Sequence, residues 1–280
     1  MNASDHSSLN KCATYSEGEA ANPRLLSAPW LLPLVLSTAA GAVDVIGFLG
    51  LGGLFAAHIT GNLVVLAAHY ITGSFGEIAP LLSVPIFVAV LASVTVTFVG
   101  SPKQVARRAL LILQAVLLAA SLSFGVWFGP FPSPDSGMAV FVGMLGVAAM
   151  AVQNGLVRLA LPGAPSTAVM TTNTAQFAVD AARLIGGRDH QADLSQIRHR
   201  AQLTLASVLG FVVGLVLGAI LEVHLGLWSL TFPLVLAALS ISLGEFWTSP
   251  SERVLHREHE QKQATAAPVL SKILGGDRAG

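Results

Sequence analysis

Long apolar runs with very few charges are the feature that most limits what this chain can fold into. Hydrophobic residues make up 53% of its 280 residues and charged residues only 11%, against about 25% charged in an average soluble domain. The runs recur at lengths of roughly 20 residues, which is what a helix needs to cross the hydrocarbon core of a bilayer. The sequence therefore predicts an all-α, polytopic membrane protein whose main partner is the lipid bilayer.

The apolar segments repeat in order along the chain. A polar N-terminal tail, 1–29, and a polar C-terminal tail, 248–280, flank a membrane domain at 30–247. Within it a first half, 30–129, and a second half, 137–247, share one pattern, which predicts an internal duplication. A single shift along the chain carries Thr60-Gly61-Asn62 onto Thr171-Thr172-Asn173, and one gap brings Asp44 close to Asn154. The predicted segments are 30–50, 54–71, 80–100, 109–129, 137–161, 166–185, 202–222 and 227–247.

The placement of lysine and arginine favours six crossings over eight. If every segment crosses, the 15 basic residues divide 11 to 4 between the two sides. If segments 54–71 and 166–185 instead return to the face they entered, all 15 lie on one side, as the positive-inside rule prefers. This arrangement has two re-entrant or broken segments and both termini in the cytoplasm. Each half crosses three times, so the two halves are predicted to form an inverted repeat.

Asp44 is the one acid deep inside an apolar span. Gly41, Asp44 and Gly47 recur every three residues and share a helix face. A carboxyl at this depth should face the interior of the bundle, where small neighbours leave room for a partner or a solute. It is either a proton-accepting or cation-pairing group, or a structural acid that is hydrogen bonded to His58 or Asn154.

A small polar cluster interrupts each half. A helix that breaks inside a membrane leaves backbone groups without partners, and threonine, asparagine and glycine can relieve such a break. The alternative is that these residues only join neighbouring helices. His58 is either a proton relay or ligand contact, or a helix–helix hydrogen-bond partner. The candidate substrate-binding residues are Asp44, His58, Thr60, Gly61, Asn62, Asn154, Thr171 and Asn173.

Two further patterns concern packing. Asn173, Gln176, Asp180 and Arg183 form a polar stripe at helical spacing, which should face protein, water or the membrane surface. Gly210, Gly214 and Gly218 form a small-residue ridge that predicts close helix packing, within the chain or between protomers of a homo-oligomer.

Several functions have no support in the sequence. The net charge is zero, so no nucleic-acid partner is expected. There is no nucleophile motif, phosphate-binding loop or intramembrane pair of metal-binding histidines. We therefore expect no catalytic residues, no metal and no cofactor, and predict that the protein is not an enzyme.

Two stretches carry a family resemblance. "GAVDVIGFLGLGGLFAAHITGNLVVLA" at 41–67 and "QNGLVRLALPGAPSTAVMTTN" at 153–173 resemble the YoaK-like family of bacterial membrane proteins, which share a domain of unknown function (DUF1275). The resemblance covers about 30–247, and Thr172 stands where that family usually has glycine. It implies an integral protein of the bacterial inner membrane with about six spans, and no established activity.

Three functions remain open at this level. The leading hypothesis is a small secondary transporter or permease for a small solute, with Asp44 as the coupling or substrate-pairing acid. The second is a non-catalytic scaffold or assembly factor that acts through helix packing. The third, an intramembrane enzyme using Asp44 and His58, lacks an accompanying nucleophile or metal set.

Overall fold

The computed structural model describes residues 28–73, 78–186, 191–245 and 247. Apart from 28 and 29, the two predicted tails lie outside the described residues. Helices and their connections make up all of the described chain, which confirms the predicted all-α membrane fold. The helices are α1 (Leu31–Gly50), α2 (Ile59–Thr72), α3 (Ile78–Phe98), α4 (Lys103–Phe128), α5 (Gly137–Ala160), α6 (Met170–Gly186), α7 (Gln191–Leu225), a 3-10 helix (Gly226–Leu230) and α8 (Thr231–Glu245).

The length of each apolar element separates those that can cross a bilayer from those that cannot. Helix α8 is counted together with the five-residue 3-10 helix before it, because its own 15 residues are too few. Within the described residues α1, α3, α4 and α5 are long and apolar enough to cross. So is the stretch Asp193–Glu245, which covers α7 from its third residue, the 3-10 helix and α8. In contrast, α2 has 14 residues and α6 has 17, or roughly 21 and 26 Å at 1.5 Å per residue. Both are shorter than the ~30 Å hydrocarbon core.

The contacts between helix ends define two faces of the bundle. At the basic face, α4 begins next to the end of α8, where the guanidinium of Arg108 lies 3.7 Å from the carboxylate of Glu245. At the opposite face, the ends of α1, α4 and α7 surround one cavity with the start of α5. There the backbone N–H of Ile78, the first residue of α3, donates to Asp135. The chain thus passes between the faces six times, through α1, α3, α4, α5, α7 and α8.

The two short helices return to the face from which the chain entered. After α1 ends at the opposite face, the connection 51–58 runs back into the bundle, and α2 then leads out again. Gly53 lies against Val65 and His69 of α2, as two antiparallel neighbours do. The connection 161–169 likewise runs into the bundle from the basic face, and α6 leads back to that face, where it ends beside the start of α7.

The first helix of each half packs against the other half. Helix α1 packs mainly on α7 and α8, whereas α5 packs mainly on α3 and α4. Helix α1 is nearly enclosed, with buried residues on every side from Leu32 to Gly47, and α5 is covered to the same extent. These two helices are therefore the core of the bundle, and the others present apolar side chains outward.

The glycine ridge packs inside the chain. Gly210, Gly214 and Gly218 of α7 lie directly against the backbone of α1. A Cβ atom at Gly210 would be 2.5 Å from the carbonyl oxygen of Leu34, and one at Gly214 would overlap the carbonyl oxygen of Thr38. An oligomer formed through this ridge would have to displace α1, so the first of the two predicted alternatives describes the packing seen here.

One segment differs from its prediction. The sequence predicts a seventh segment at 202–222, yet α7 begins at Gln191 and runs for 35 residues, about 52 Å. This part of the helix needs no apolar stripe because it lies beyond the membrane core. There Arg200 of α7 donates hydrogen bonds to Asp180 of α6.

Candidate functional site

The connection 51–58 carries irregular backbone into the middle of the bundle. Its first turn is built by Gly52 and Gly53, with φ of 71° and 86°, which residues other than glycine rarely adopt. The backbone then lies flat on α1, because a Cβ at Gly47 would be only 2.6 Å from the carbonyl oxygen of Leu54. Leu54 and Ala56 are almost fully buried, so the polar groups of this backbone need partners from the protein.

Asp44 supplies one of those partners. Its side chain is 1% exposed. One carboxylate oxygen accepts the backbone N–H of Ala57 at 2.6 Å and, at 3.4 Å, that of His58. The other lies 2.5 Å from Nδ1 of the His58 ring. The carboxylate therefore fixes the innermost point of the connection and holds a titratable ring next to it.

His58 is the more accessible member of this pair. It is the residue before the first turn of α2, and its side chain is 35% exposed. Its ring meets that of Phe211 on α7 edge-on, with the centroids 5.1 Å apart. The imidazole thus bridges the re-entrant connection to a helix of the second half, and any proton reaching Asp44 from His58 would pass through one short contact.

Asn62 closes the connection from the other side. Its Oδ1 accepts the backbone N–H of Phe55 at 2.8 Å, while Nδ2 donates to the carbonyl of Phe55 at 2.7 Å and to Oγ of Ser83 at 2.8 Å. The amide is fully buried. It thus gives the backbone N–H and carbonyl of Phe55 the two hydrogen bonds that they would otherwise make within a continuous helix.

The second connection, 161–169, repeats this geometry in the other half of the chain. Gly163 has φ of 80° at the position that corresponds to Gly52 in the first half. Nδ2 of Asn173 donates to the carbonyl of Ser166 at 2.6 Å, as Asn62 does to Phe55. In both halves the asparagine bonds the carbonyl seven residues before it.

The position facing the second connection is held by Gln153, not by Asn154. Nε2 of Gln153 donates to Oγ1 of Thr167 at 2.8 Å and to the carbonyl of Leu36 on α1 at 3.0 Å. Its Oε1 accepts from Gln114 of α4 at 2.6 Å. Asn154, which the sequence placed in the site, donates only to Met150 of its own helix among the bonds described for it. A lone glutamine in each of the apolar segments 109–129 and 137–161 was the available signal.

The tips of the two connections share one core. Ala57 and Ala168 belong to the same buried cluster, together with Val43 and Met150. Thr60 and Thr171, by contrast, are exposed on the first turns of α2 and α6. Among the predicted site residues, the structure brings Asp44, His58 and Asn62 together around the first connection. It places Asn173 on the second, and leaves the two threonines outside.

The difference between Gly61 and Thr172, which take equivalent positions in the two halves, has a packing explanation. Gly61 lies under the ring of Phe55, where an added Cβ atom would be 3.1 Å from the nearest ring carbon. In the second half the residue that takes the position of Phe55 is Ser166, which has no ring, and Thr172 is exposed.

The polar stripe of α6 faces α7. Asp180 is fully buried and accepts two bonds from the Arg200 guanidinium, at 2.5 and 2.8 Å, and one from Gln176 at 3.0 Å. The hydrogen bond from Arg200 is the main reason that the pKa of this carboxyl is lowered, against the opposing effect of burial. The ion pair fastens the outer end of the second re-entrant segment to the long helix.

Comparison with known proteins identifies the family. The sequence profile described as "Protein of unknown function (DUF1275)" matches residues 32–243, which is the whole helical bundle from the start of α1 to the last turn of α8. No curated protein and no solved structure matches the chain significantly. The chain belongs to the DUF1275 family of proteins of unknown function.

Proposed function

We propose that this protein is a small secondary transporter or permease for a small solute, and not an enzyme. The observation that carries the proposal is the Asp44–His58 pair at the tip of a re-entrant connection. Transporters bind substrates and coupling ions where irregular backbone interrupts the helices near mid-membrane. The fully buried carboxylate and the partly exposed imidazole give this tip two titratable groups in contact, an arrangement suited to proton coupling.

The two connections support a solute path between inverted repeats. Their asparagine bonds match at equivalent positions of the two halves, which favours an origin by duplication. They enter from opposite faces and end in one core, as inverted halves would arrange them. In this proposal Asp44 is the coupling or substrate-pairing acid, and His58, Asn62 and Asn173 form the surrounding polar wall.

The orientation of the chain forms part of the proposal. Every described lysine and arginine lies at the basic face, so the positive-inside rule places that face in the cytoplasm of the inner membrane, with both termini. With Cys12 replaced by serine, a cysteine at Ser101 should react with impermeant maleimide only from the cytoplasm and one at Ser133 only from outside. Eight crossings with cytoplasmic termini predict the reverse, so reaction of the cysteine at 101 only from outside and of the one at 133 only from the cytoplasm would overturn the six-crossing arrangement.

Asp44→Asn tests the coupling role. The asparagine keeps an oxygen for the N–H of Ala57 and a hydrogen-bonding group for His58, while it removes the ionisable carboxyl. In liposomes loaded with a pH-sensitive dye, a panel of amines, amino acids, carboxylates and sugars should include a solute that drives proton flux through the wild type. We expect that flux to fall at least about tenfold in Asp44→Asn, with the melting temperature retained.

The outcomes distinguish the proposed roles. Equal proton flux in the variant would remove Asp44 from coupling. No flux with any compound in the wild type would favour the scaffold or assembly factor instead. That alternative now lacks the glycine ridge as its docking surface, because α1 covers it.

A further inference from the structure

A cavity of about 470 Å³ opens at the face opposite the basic residues. It lies where α1, α4 and α7 end, and the start of α5 and the 3-10 helix complete its wall. Its volume falls within the range of small-molecule sites. Gly50, one of its lining residues, is six residues beyond Asp44 on α1, so the cavity lies roughly 9 Å farther along that helix.

One carboxylate enters this cavity. Glu222 is the only charged side chain among the described residues that line it, and the rest are apolar, glycine or proline. One of its oxygens accepts a 2.5 Å hydrogen bond from Ser229, which is fully buried. The other lies against Gly50, where a Cβ would come within 2.5 Å of it. Ser229 and Gly50 thus hold the carboxylate in one position.

The wall of the cavity supplies no lysine or arginine to balance this charge, as far as the structure describes the chain. The described residues that connect helices at this face, at 72–73, 78–79, 130–136 and 223–226, include neither residue type. A half-buried carboxylate without a counter-charge is costly, and a bound cation would relieve that cost. Phe131 and Trp228 also line the cavity, and aromatic faces attract ammonium groups.

We propose that this cavity binds an organic ammonium ion, with Glu222 as the anionic partner and Phe131 and Trp228 as the aromatic walls. The ammonium can belong to a free amine or to the headgroup of phosphatidylethanolamine, which present the same chemistry. Binding here does not depend on transport through Asp44, since the two carboxylates lie at different depths of the bundle.

Three ligands with one ring and different charges test the proposal. Binding of phenethylammonium, 2-phenylethanol and 3-phenylpropionate to the full chain in maltoside micelles can be followed by calorimetry and by the fluorescence of Trp228, compared with a Trp228→Phe variant. We expect phenethylammonium to bind and the other two to bind at least about tenfold more weakly, because only the cation forms an ion pair with the Glu222 carboxylate. Equal binding of all three would indicate apolar partition and overturn the proposal.

Glu222→Gln is the diagnostic variant. It keeps the size of the side chain and an acceptor for Ser229, and should weaken the binding of phenethylammonium at least about tenfold. Glu245→Gln, at the basic face, is the matched control and should leave binding unchanged. Retained binding in a folded Glu222→Gln protein, checked by its melting temperature, would refute the role of the carboxylate.

A competition experiment separates the two sources of the ammonium. Short-chain phosphatidylethanolamine that displaces phenethylammonium, while phosphatidylglycerol does not, would assign the cavity to a lipid headgroup. Lack of displacement by either lipid, with Glu222-dependent binding intact, would assign it to a free amine.

Discussion

Replacing Asn62 with leucine should destabilise the bundle strongly although the two side chains have the same branching and the same number of non-hydrogen atoms. The buried amide makes three hydrogen bonds, two of them to the backbone of Phe55 and one to Ser83. Leucine makes none of them. The backbone N–H and carbonyl of Phe55 would then lack the partners that the fully buried amide supplies.

The structure sets the size of the expected loss. A buried polar group left without a partner costs about 1–3 kcal/mol, which gives roughly 2–6 kcal/mol for the two groups of Phe55. Hydrogen bonds between membrane helices average nearer ~0.6 kcal/mol each, so three lost bonds set a lower bound of about 2 kcal/mol. We expect Asn62→Leu to lower the free energy of unfolding by an amount between these limits.

Asn154→Leu is the matched control for this substitution. Asn154 is half-buried, and the bond described for it runs to the carbonyl of Met150 in its own helix. That carbonyl keeps its place in the helical ladder when the side chain is removed. The expected loss is therefore below about 1 kcal/mol.

Unfolding in mixed micelles, with SDS as denaturant or by steric trapping, measures both variants on one scale. The reasoning requires Asn62→Leu to cost at least ~1 kcal/mol more than Asn154→Leu. If the two variants unfold with the same free energy, Asn62 does not hold the connection, and the backbone of Phe55 finds other partners when the amide is removed.

Two further predictions concern the contacts of α7. Gly214→Ala should lower the free energy of unfolding by about 1–3 kcal/mol, because the methyl group forces α7 away from the backbone of α1. Gly137→Ala is the control and should change the melting temperature little, because nothing lies within 4 Å of an added Cβ atom there. Equal effects of the two substitutions would contradict the close packing of α7 on α1. The pKa of Asp180 is lowered in the folded protein by Arg200. This pair therefore stabilises the fold at pH values above about 4, the pKa of an aspartate in the unfolded chain, and the stabilisation is lost as the pH falls below that value. Arg200→Gln should lower stability at neutral pH and reduce its decline between about pH 5 and 3, as thermal melts at several pH values would measure; an unchanged decline would exclude this pair as its cause.

The apolar runs were sufficient to predict the helices, because a membrane leaves the backbone few alternatives. The extra turns of α7 escaped prediction since hydropathy marks only the part of a helix that touches lipid. The polar breaks were located correctly by Asn62 and Asn173, whose amides bond the connections. Their environment could not be read from one sequence, because it depends on which helix lies opposite.

The contacts of individual site residues could not be predicted from the sequence either. Asp44 and His58 are 14 positions apart. The sequence therefore offered two hydrogen-bond partners for the carboxyl of Asp44, His58 and Asn154, and did not decide between them. Only the path of the connection 51–58 selects His58. Gln153 and Asn154 are adjacent in the chain, so one step of helical rotation, about 100°, decides which of them reaches Thr167. Aligning the two halves with one gap does not fix that rotation.

The packing of α1 on α7 has a consequence for how the protein is made. About 140 residues separate the end of α1 from the start of α7, and at ~5–20 residues per second a ribosome needs on the order of 10 s to synthesise them. During that interval α1 has left the ribosome without the neighbour that will cover it, and carries a carboxyl in lipid. Ala57 and His58 follow Asp44 by only 13 and 14 positions, so the nascent chain can shield its own acid almost as soon as it enters the bilayer.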